Sequence, residues 1–303
     1  MMDTLFLGIP GSDQWRNVKL IDAGWSHDRK YAFESSDQKR YLLRVSDSTQ
    51  YTRRNKEYEA VKRLDHLDIE MSRPIRFGNC DNGKKVYTIM TWIDGKEAAK
   101  ILPTLNSKEQ YKLGYQAGRI LKTIHSVPAP ADQQSWSKFY QEKIDRKLSD
   151  YRTCGIVVDH ADLIINFIQT NRYLLKDRPM TFQHGDYHCG NMVISGKKKI
   201  GIIDFDRLDY GDPWEEFNRI TWCAGVSGSF ASGRINGYFE DKVPAHFFEL
   251  MALYIATNMI SSIPWSISYG QHEIDVMIRE IEKNFNAYDH YQTVIPKWYK
   301  YGM

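Results

Sequence analysis

Cysteine is scarce: the 303 residues hold four, Cys80, Cys154, Cys189 and Cys223. None stands in C-x-x-C spacing and they lie far apart, which argues against a zinc knuckle and against a dense disulfide framework. A dominant charge is also missing. Lys and Arg number 41 against 38 Asp and Glu, a formal net charge of +3, so the basic excess of a dedicated nucleic-acid binder is absent. No uninterrupted apolar run reaches the roughly 18 residues of a membrane span. The opening MMDTLFLGIPGSDQW lacks a basic n-region, and its apolar run is too short for a signal peptide. These absences lead us to expect a cytoplasmic protein with neither a membrane nor a nucleic-acid partner. What is present is 42% hydrophobic residues, an ordinary 26% charged and a high 13% aromatic. That suffices for one large domain or two lobes with a packed core.

The first third of the chain reads as strands. VKLIDA, KYAFES and RYLLRVS alternate between turn residues over positions 17–45, which predicts a three-stranded meander. Residues 52–65 read as a helix with Tyr58, Val61 and Leu64 on one side. Two more strands, 74–79 and 85–93, flank the turn Asp81-Asn82-Gly83. From Asp94-Gly95 onward the pattern turns helical, at 107–126, 136–150, 160–176, 214–223, 244–263 and 271–287. A strand-rich interruption lies at 180–205. The shift near residue 94 divides a small mixed lobe, 1–94, from a larger helical one, 95–303.

The sharpest segment is His184-Gly185-Asp186-Tyr187-His188-Cys189-Gly190-Asn191, followed by a short apolar strand and, at Asp204, by Ile-Ile-Asp-Phe-Asp. A hairpin between the two strands could bring Asp186, Asn191 and Asp204 to one end of the sheet. Asp and Asn are hard oxygen donors of the kind Mg²⁺ takes. A carboxylate left free of metal can orient a hydroxyl nucleophile. A different reading of the same residues puts His184, Asp186 and His188, alternating along one strand face, around a transition metal.

The segment resembles the catalytic loop of the aminoglycoside phosphotransferase and choline kinase-like family, H-G-D-x-x-x-x-N followed by a hairpin and I-D-[FWL]. The Asp-to-Asn gap also matches the protein-kinase loop. The resemblance implies an α+β, bilobal protein kinase-like fold, with a β-rich nucleotide-binding lobe and a mainly helical catalytic lobe. It implies Asp186 as catalytic base, and Asn191 and Asp204 as Mg²⁺ ligands. Asp206 stands where protein kinases have glycine. Asp212-Pro213 resembles the family's G-D-P segment and reads as a helix start, with Glu216 in place of the usual Asp. Leu121 to Pro128 resembles the family's L-x-x-L-H-x-[VI]-P helix end, where His125 reads as a packed histidine.

In the small lobe, Arg44 falls where the kinase third strand carries its phosphate-pairing lysine, and Glu57 (or Glu59) falls where that residue's helix partner stands. Gly24-Trp25-Ser26-His27-Asp28 occupies the place of a phosphate-covering loop, with Ser26 offering its backbone amide. Thr91, Trp92 and Ile93 resemble the hinge that bonds the purine edge. Arg53-Arg54 and Lys197 to Lys199 read as a solvated helix end and a hairpin tip. The aromatic tail from Tyr288 to Tyr301 reads as packing. The function implied is Mg²⁺-dependent transfer of phosphate from ATP or GTP to a small hydroxylated acceptor, foremost an aminoglycoside. A cationic acceptor of that kind calls for an acidic surface, for which Asp206, Asp209, Glu215 and Glu216 are candidates. Other acceptors (choline, sugars, macrolides) and a catalytically silent nucleotide-binding module are the competing readings.

Overall fold

The structure is a computed structural model that describes residues 4–22, 28–196 and 198–300. The chain forms two compact units. One comprises 1–96 with 193–206, the other 97–192 with 207–303.

The first unit is built on a five-stranded antiparallel sheet: β1 (Arg16–Ile21), β2 (Arg29–Glu34), β3 (Arg40–Asp47), β4 (Pro74–Cys80) and β5 (Lys85–Thr91), in the order β1-β2-β3-β5-β4. Alternation decides its two faces. Tyr31, Phe33, Leu43 and Val45 turn into an apolar cluster with Phe6, Ile9 and Ile89, where Trp15 stacks on Phe33 at 3.9 Å. The intervening Lys30 and Arg44 are directly opposite each other on adjacent strands, so they share the other face. Helix α1 (Tyr51–Lys62) buries Val61 together with Arg54. The exposed Arg53 is solvated, as the sequence suggests, but Arg54 is not.

After the two-residue strand β6 (Lys96–Glu97) and the single turn α2 (Ala98–Ile101), the second unit is mainly helical. Its helices are α3 (Ser107–Ile124), α4 (Trp136–Thr153), α5 (Ala161–Thr170), α6 (Ile220–Val226), α7 (Gly228–Phe239), α8 (Ala245–Ser266) and α9 (Gln271–Ala287). A capping box between Asn106 and Glu109 starts α3. Helix α8 is long and apolar enough to cross a membrane but is mostly buried, as a core helix is. Helix α7 has no counterpart in the sequence reading. Its glycines explain both its concealment and its formation: a Cβ on Gly233 or Gly237 would lie 2.2 Å from the Tyr111 or Tyr115 carbonyl of α3, and one on Gly118 of α3 would lie 2.1 Å from the Arg234 carbonyl.

Strands β7 (Thr181–Gln183), β8 (Met192–Ile194), β9 (Ile200–Ile202) and β10 (Asp209–Gly211) frame the central motif, with β7 paired to β10. The hairpin of β8 and β9 falls with the first unit rather than with 95–303 as the sequence division has it. The reason is backbone bonding: Ser72 N–H donates to the Ile202 carbonyl, and Ile202 N–H donates to Glu70.

Candidate active site

The loop after β7 is fixed before any ligand is considered. Gly185 takes φ +81°, and a Cβ there would lie 1.7 Å from the Arg207 carbonyl, so only glycine fits. Its N–H donates to both oxygens of Glu216, at 2.9 and 3.2 Å. Glu216 is buried, with the His125 Nε2 at 3.7 Å. Burial opposes ionisation of Glu216, but His125 and His184 outweigh it and its pKa is lowered. His125 is packed as expected, its Nδ1 3.0 Å from the Tyr238 hydroxyl. From α7, the fully buried Arg234 donates to the carbonyl oxygens of Tyr187 (2.6 Å) and Glu216 (3.1 Å), and lies over the ring of Tyr187. Sequence reasoning missed it because α7 itself was hidden.

Within this loop the structure joins Asp186 and Asn191. The Asn191 Nδ2 donates to the Asp186 carbonyl at 3.0 Å and to its Oδ2 at 3.2 Å. His188 Nε2 lies 3.6 Å from the same oxygen, and Arg219 Nε lies 3.3 Å from Oδ1. Burial resists charge on Asp186, yet His188, Arg219 and Arg207 overcome it, and the carboxyl sits well below the usual carboxylate range. Asp186 is therefore an anion that accepts hydrogen bonds and holds a proton only weakly.

The transition-metal reading fails on the same loop. His184 Nδ1 accepts from Asp186 N–H at 3.2 Å and His188 Nδ1 from Gly190 N–H at 3.0 Å, so both imidazoles brace backbone. Among the described residues no group of three or more His, Cys, Asp or Glu is arranged to hold a metal ion.

Downstream, Asp212 does start a helical turn, accepting from Trp214 N–H at 3.0 Å. It is also a buried anchor. Arg178 grips it with two bonds of 2.7 and 2.9 Å, Tyr254 donates to it at 2.6 Å, and Arg178 stacks on Trp214.

In the first unit the expected pair of Arg44 with Glu57 is not among the described contacts. Glu57 binds Arg53 at 2.9 Å and Arg54 at 2.6 Å instead. Arg54 continues to Asp206 at 2.6 Å and to Asp28. Arg44 is held by Asp28 through Nε and by Asp206 through both terminal nitrogens. Burial works against its charge, but the two aspartates raise its pKa further. Asp206, the residue replacing the kinase glycine, is thus a clamp for two arginines. The sequence frame named both charged residues but could not reveal that Arg54 intervenes.

Asp204 adopts φ +65°, an uncommon backbone for a residue with a side chain, and its Oδ2 lies 3.6 Å from Lys30 Nζ. Lys30 is a functional candidate that the sequence reading did not single out. Its only signal was its register opposite Arg44. At the hinge, Thr91 is committed within its own unit: its N–H donates to the Arg73 carbonyl, and its own carbonyl accepts from Ser72 Oγ. Trp92 N–H donates to Arg40, and Ile93 packs over Gly201. Ser26 lies outside the described residues, as does Lys197.

Residues 17–248 match the family described as phosphotransferase enzyme family, APH. The chain is 26% identical over 240 residues to an aminoglycoside 3'-phosphotransferase of Niallia circulans, covering 76% of this chain and 83% of that one. Among solved structures it is similar to the gentamicin complex of APH(2")-IIa, with TM-score 0.63 and 18% identity, over 88% of this chain and 91% of that one. An amicoumacin kinase in complex with AMP-PNP, Ca²⁺ and Ami is similar over 98% and 93% of the two chains, at TM-score 0.64 and 13% identity. The mixed α+β architecture is that of these kinase-like folds. The loop anchored by Glu216 and Arg234 lies inside the matched span, and the chain belongs to the phosphotransferase enzyme family as a small-molecule kinase.

Proposed function

We propose that the protein transfers the γ-phosphoryl group of ATP, with Mg²⁺, to a hydroxyl of a small molecule, and that Asp186 is its catalytic base. The observation that carries this reading is the Asp186 environment. A carboxylate braced by Asn191 and Arg219, in a loop tied down by Glu216 and Arg234, is preorganised to orient a hydroxyl. Its depressed pKa suits a base that positions the nucleophile and receives the proton late, after the bond to phosphorus has largely formed. AMP-PNP in the amicoumacin kinase supports an adenine nucleotide as donor.

Asn191 and Asp204 are the proposed Mg²⁺ ligands. The donor set fits: the Asn191 nitrogen is committed to Asp186, which leaves its amide oxygen, and Asp204 supplies a carboxylate. Bound there, Mg²⁺ supplies neutralisation of charge on the phosphates. Arg44 and its neighbour Lys30 are the proposed phosphate-side cations, with Glu57 acting through Arg54. Since both backbone groups of Thr91 and the N–H of Trp92 are spent within the first unit, the Trp92 carbonyl and the backbone of Ile93 are the proposed purine contacts. The Ser26 amide remains a proposed phosphate contact.

The Niallia circulans relative directs attention to an aminoglycoside acceptor, which the acidic candidates were expected to serve. Three of the four are committed to other partners. Asp206 clamps Arg44 and Arg54, Glu216 is buried beneath Gly185, and Glu215 pairs with Lys143 at 3.3 Å. Only Asp209 is exposed. Asp186→Asn should lower turnover by about 10²–10⁴-fold while leaving ATP affinity within twofold, about the size of a positioned base's contribution. Turnover of the variant at the parent rate would remove Asp186 from the mechanism.

A further inference from the structure

The surroundings of Asp186 are rich in positive charge. Arg219 Nε lies 3.3 Å from Asp186 Oδ1 yet is buried without an aligned hydrogen bond. One turn earlier, Glu215 meets Lys143 of α4 at 3.3 Å, and its other oxygen accepts from Gln183 at 3.4 Å. The Lys143 ammonium lies 5.0 Å over the ring of Tyr140. Lys147 follows four residues on, along the same face of α4, within the field of Lys143, Glu215, Arg219 and Arg146. Arg207, whose carbonyl closes on Gly185, adds its charge to that felt by Asp186.

Asp186, Glu215 and Asp209 are the three carboxylates set among these five cations, and Asp186 also faces the acceptor hydroxyl. Glu215 is shared between Lys143 and Gln183, and Asp209 accepts from the neighbouring Tyr210 N–H at 2.8 Å. The imbalance shows at Lys147: burial first, then Lys143, push its pKa down to about 7 against the opposing pull of Glu215. Cations gathered in this way with too few anions are stabilised by a bound anion.

We infer that the acceptor is an anionic hydroxy compound, whose carboxylate or phosphate is received by Arg219, Lys143 and Lys147 while its hydroxyl meets Asp186. The inference rests on the phosphotransfer reading above. In the transfer, the bond between the γ-phosphorus and the β,γ-bridging oxygen of ATP breaks, and its electron pair leaves with ADP. The acceptor oxygen forms the new bond to phosphorus, and its proton passes to the Asp186 carboxylate. A polycationic amino sugar meets repulsion from the same side chains, which disfavours it.

Binding of gluconate, glucose 6-phosphate, glucose and kanamycin to the full chain, measured by calorimetry with Mg²⁺ and AMP-PNP present, tests this. One of the two anionic sugars should bind at least tenfold more tightly than glucose, and kanamycin more weakly than either. Which of the two binds tells carboxylate from phosphate. Lys147→Gln should erase the preference and Lys147→Arg retain it, both with AMP-PNP affinity unchanged. Equal affinity for charged and uncharged sugars, a preference for kanamycin, or no binding of either anion overturns the inference. The kinase reading is judged separately, by Asp186-dependent formation of ADP.

Discussion

At the scale of the residue, Lys147 shows what such an acceptor wall costs. Its folded pKa of about 7 lies below the ordinary 10.5. Between those values the unfolded chain binds more protons than the folded one, so the stability contributed by this group rises with pH. Below pH 7 the penalty is present in full. Lys147→Met removes it, and thermal unfolding should shift upward by about 1–2 °C for each kcal/mol recovered in a chain of this size. The gain should be larger at pH 6 than at pH 9, while affinity for an anionic acceptor falls. A variant melting below the parent at pH 6 would show that Lys147 is balanced by partners after all. Contacts between site residues were legible in the sequence where the geometry is local. The spacing from Asp186 to Asn191 is five positions, and the structure closes it with two hydrogen bonds. Arg53 and Arg54 read alike in sequence. Only the rotation of α1 sends one to solvent and the other against Ser46, Asp28 and Asp206. Arg44 and Glu57 were placed by a frame of spacing, but spacing does not decide which of several carboxylates wins a guanidinium.

At the scale of the element, the seam of α3 and α7 decides more than packing. G-S-F-A-S-G-R-I-N-G-Y-F has three glycines and no apolar stripe, so neither propensity nor periodicity announces a helix. Tertiary contact overrides both, because glycine lets the two backbones approach closely enough for side-chain-free contact. Strand β2 and the amphipathic helices α3, α5 and α9 were legible because each shows water one face and the core another. The same seam sets Arg234, whose guanidinium holds the Tyr187 carbonyl beside Asp186. Gly118→Ala places a Cβ 2.1 Å from the Arg234 carbonyl. Overpacking of this kind should cost about 1–3 kcal/mol in denaturant unfolding. If the seam positions the loop, kcat falls as well, with KM for ATP unchanged. A loss of stability with kcat intact would confine Arg234 to a structural role.

At the scale of the whole molecule, two units share one electrostatic habit. The chain is nearly neutral, with 41 basic and 38 acidic side chains, yet each unit buries carboxylates against cations. In the first, burial opposes charge on Asp206, and Arg44 and Arg54 more than offset it, so its pKa is lowered. In the second, Glu216 and Asp186 are lowered in the same way by His125, His188 and Arg219. The boundary near residue 94 was legible as a change of composition, but the return of 193–206 to the first unit was not, because the bonds that hold it come from residues 70–72, more than a hundred positions away. That return brings Asp206 to its two arginines within one unit. A carboxylate whose folded pKa is depressed stabilises the fold fully above its unfolded value and loses that contribution as pH falls through the folded one. The ordinary values are 3.8 for Asp and 4.5 for Glu. Urea unfolding followed by circular dichroism should therefore give a stability that is level near neutrality and declines as the pH drops below these values. Asp206→Asn should be less stable than the parent at pH 7, because it leaves two buried arginines short of a counter-charge. Its decline with acid should also be shallower, because one titrating carboxylate is gone. A variant whose acid limb runs parallel to the parent's would mean that Asp206 keeps its ordinary affinity for protons, and that the arginine clamp does not hold in solution.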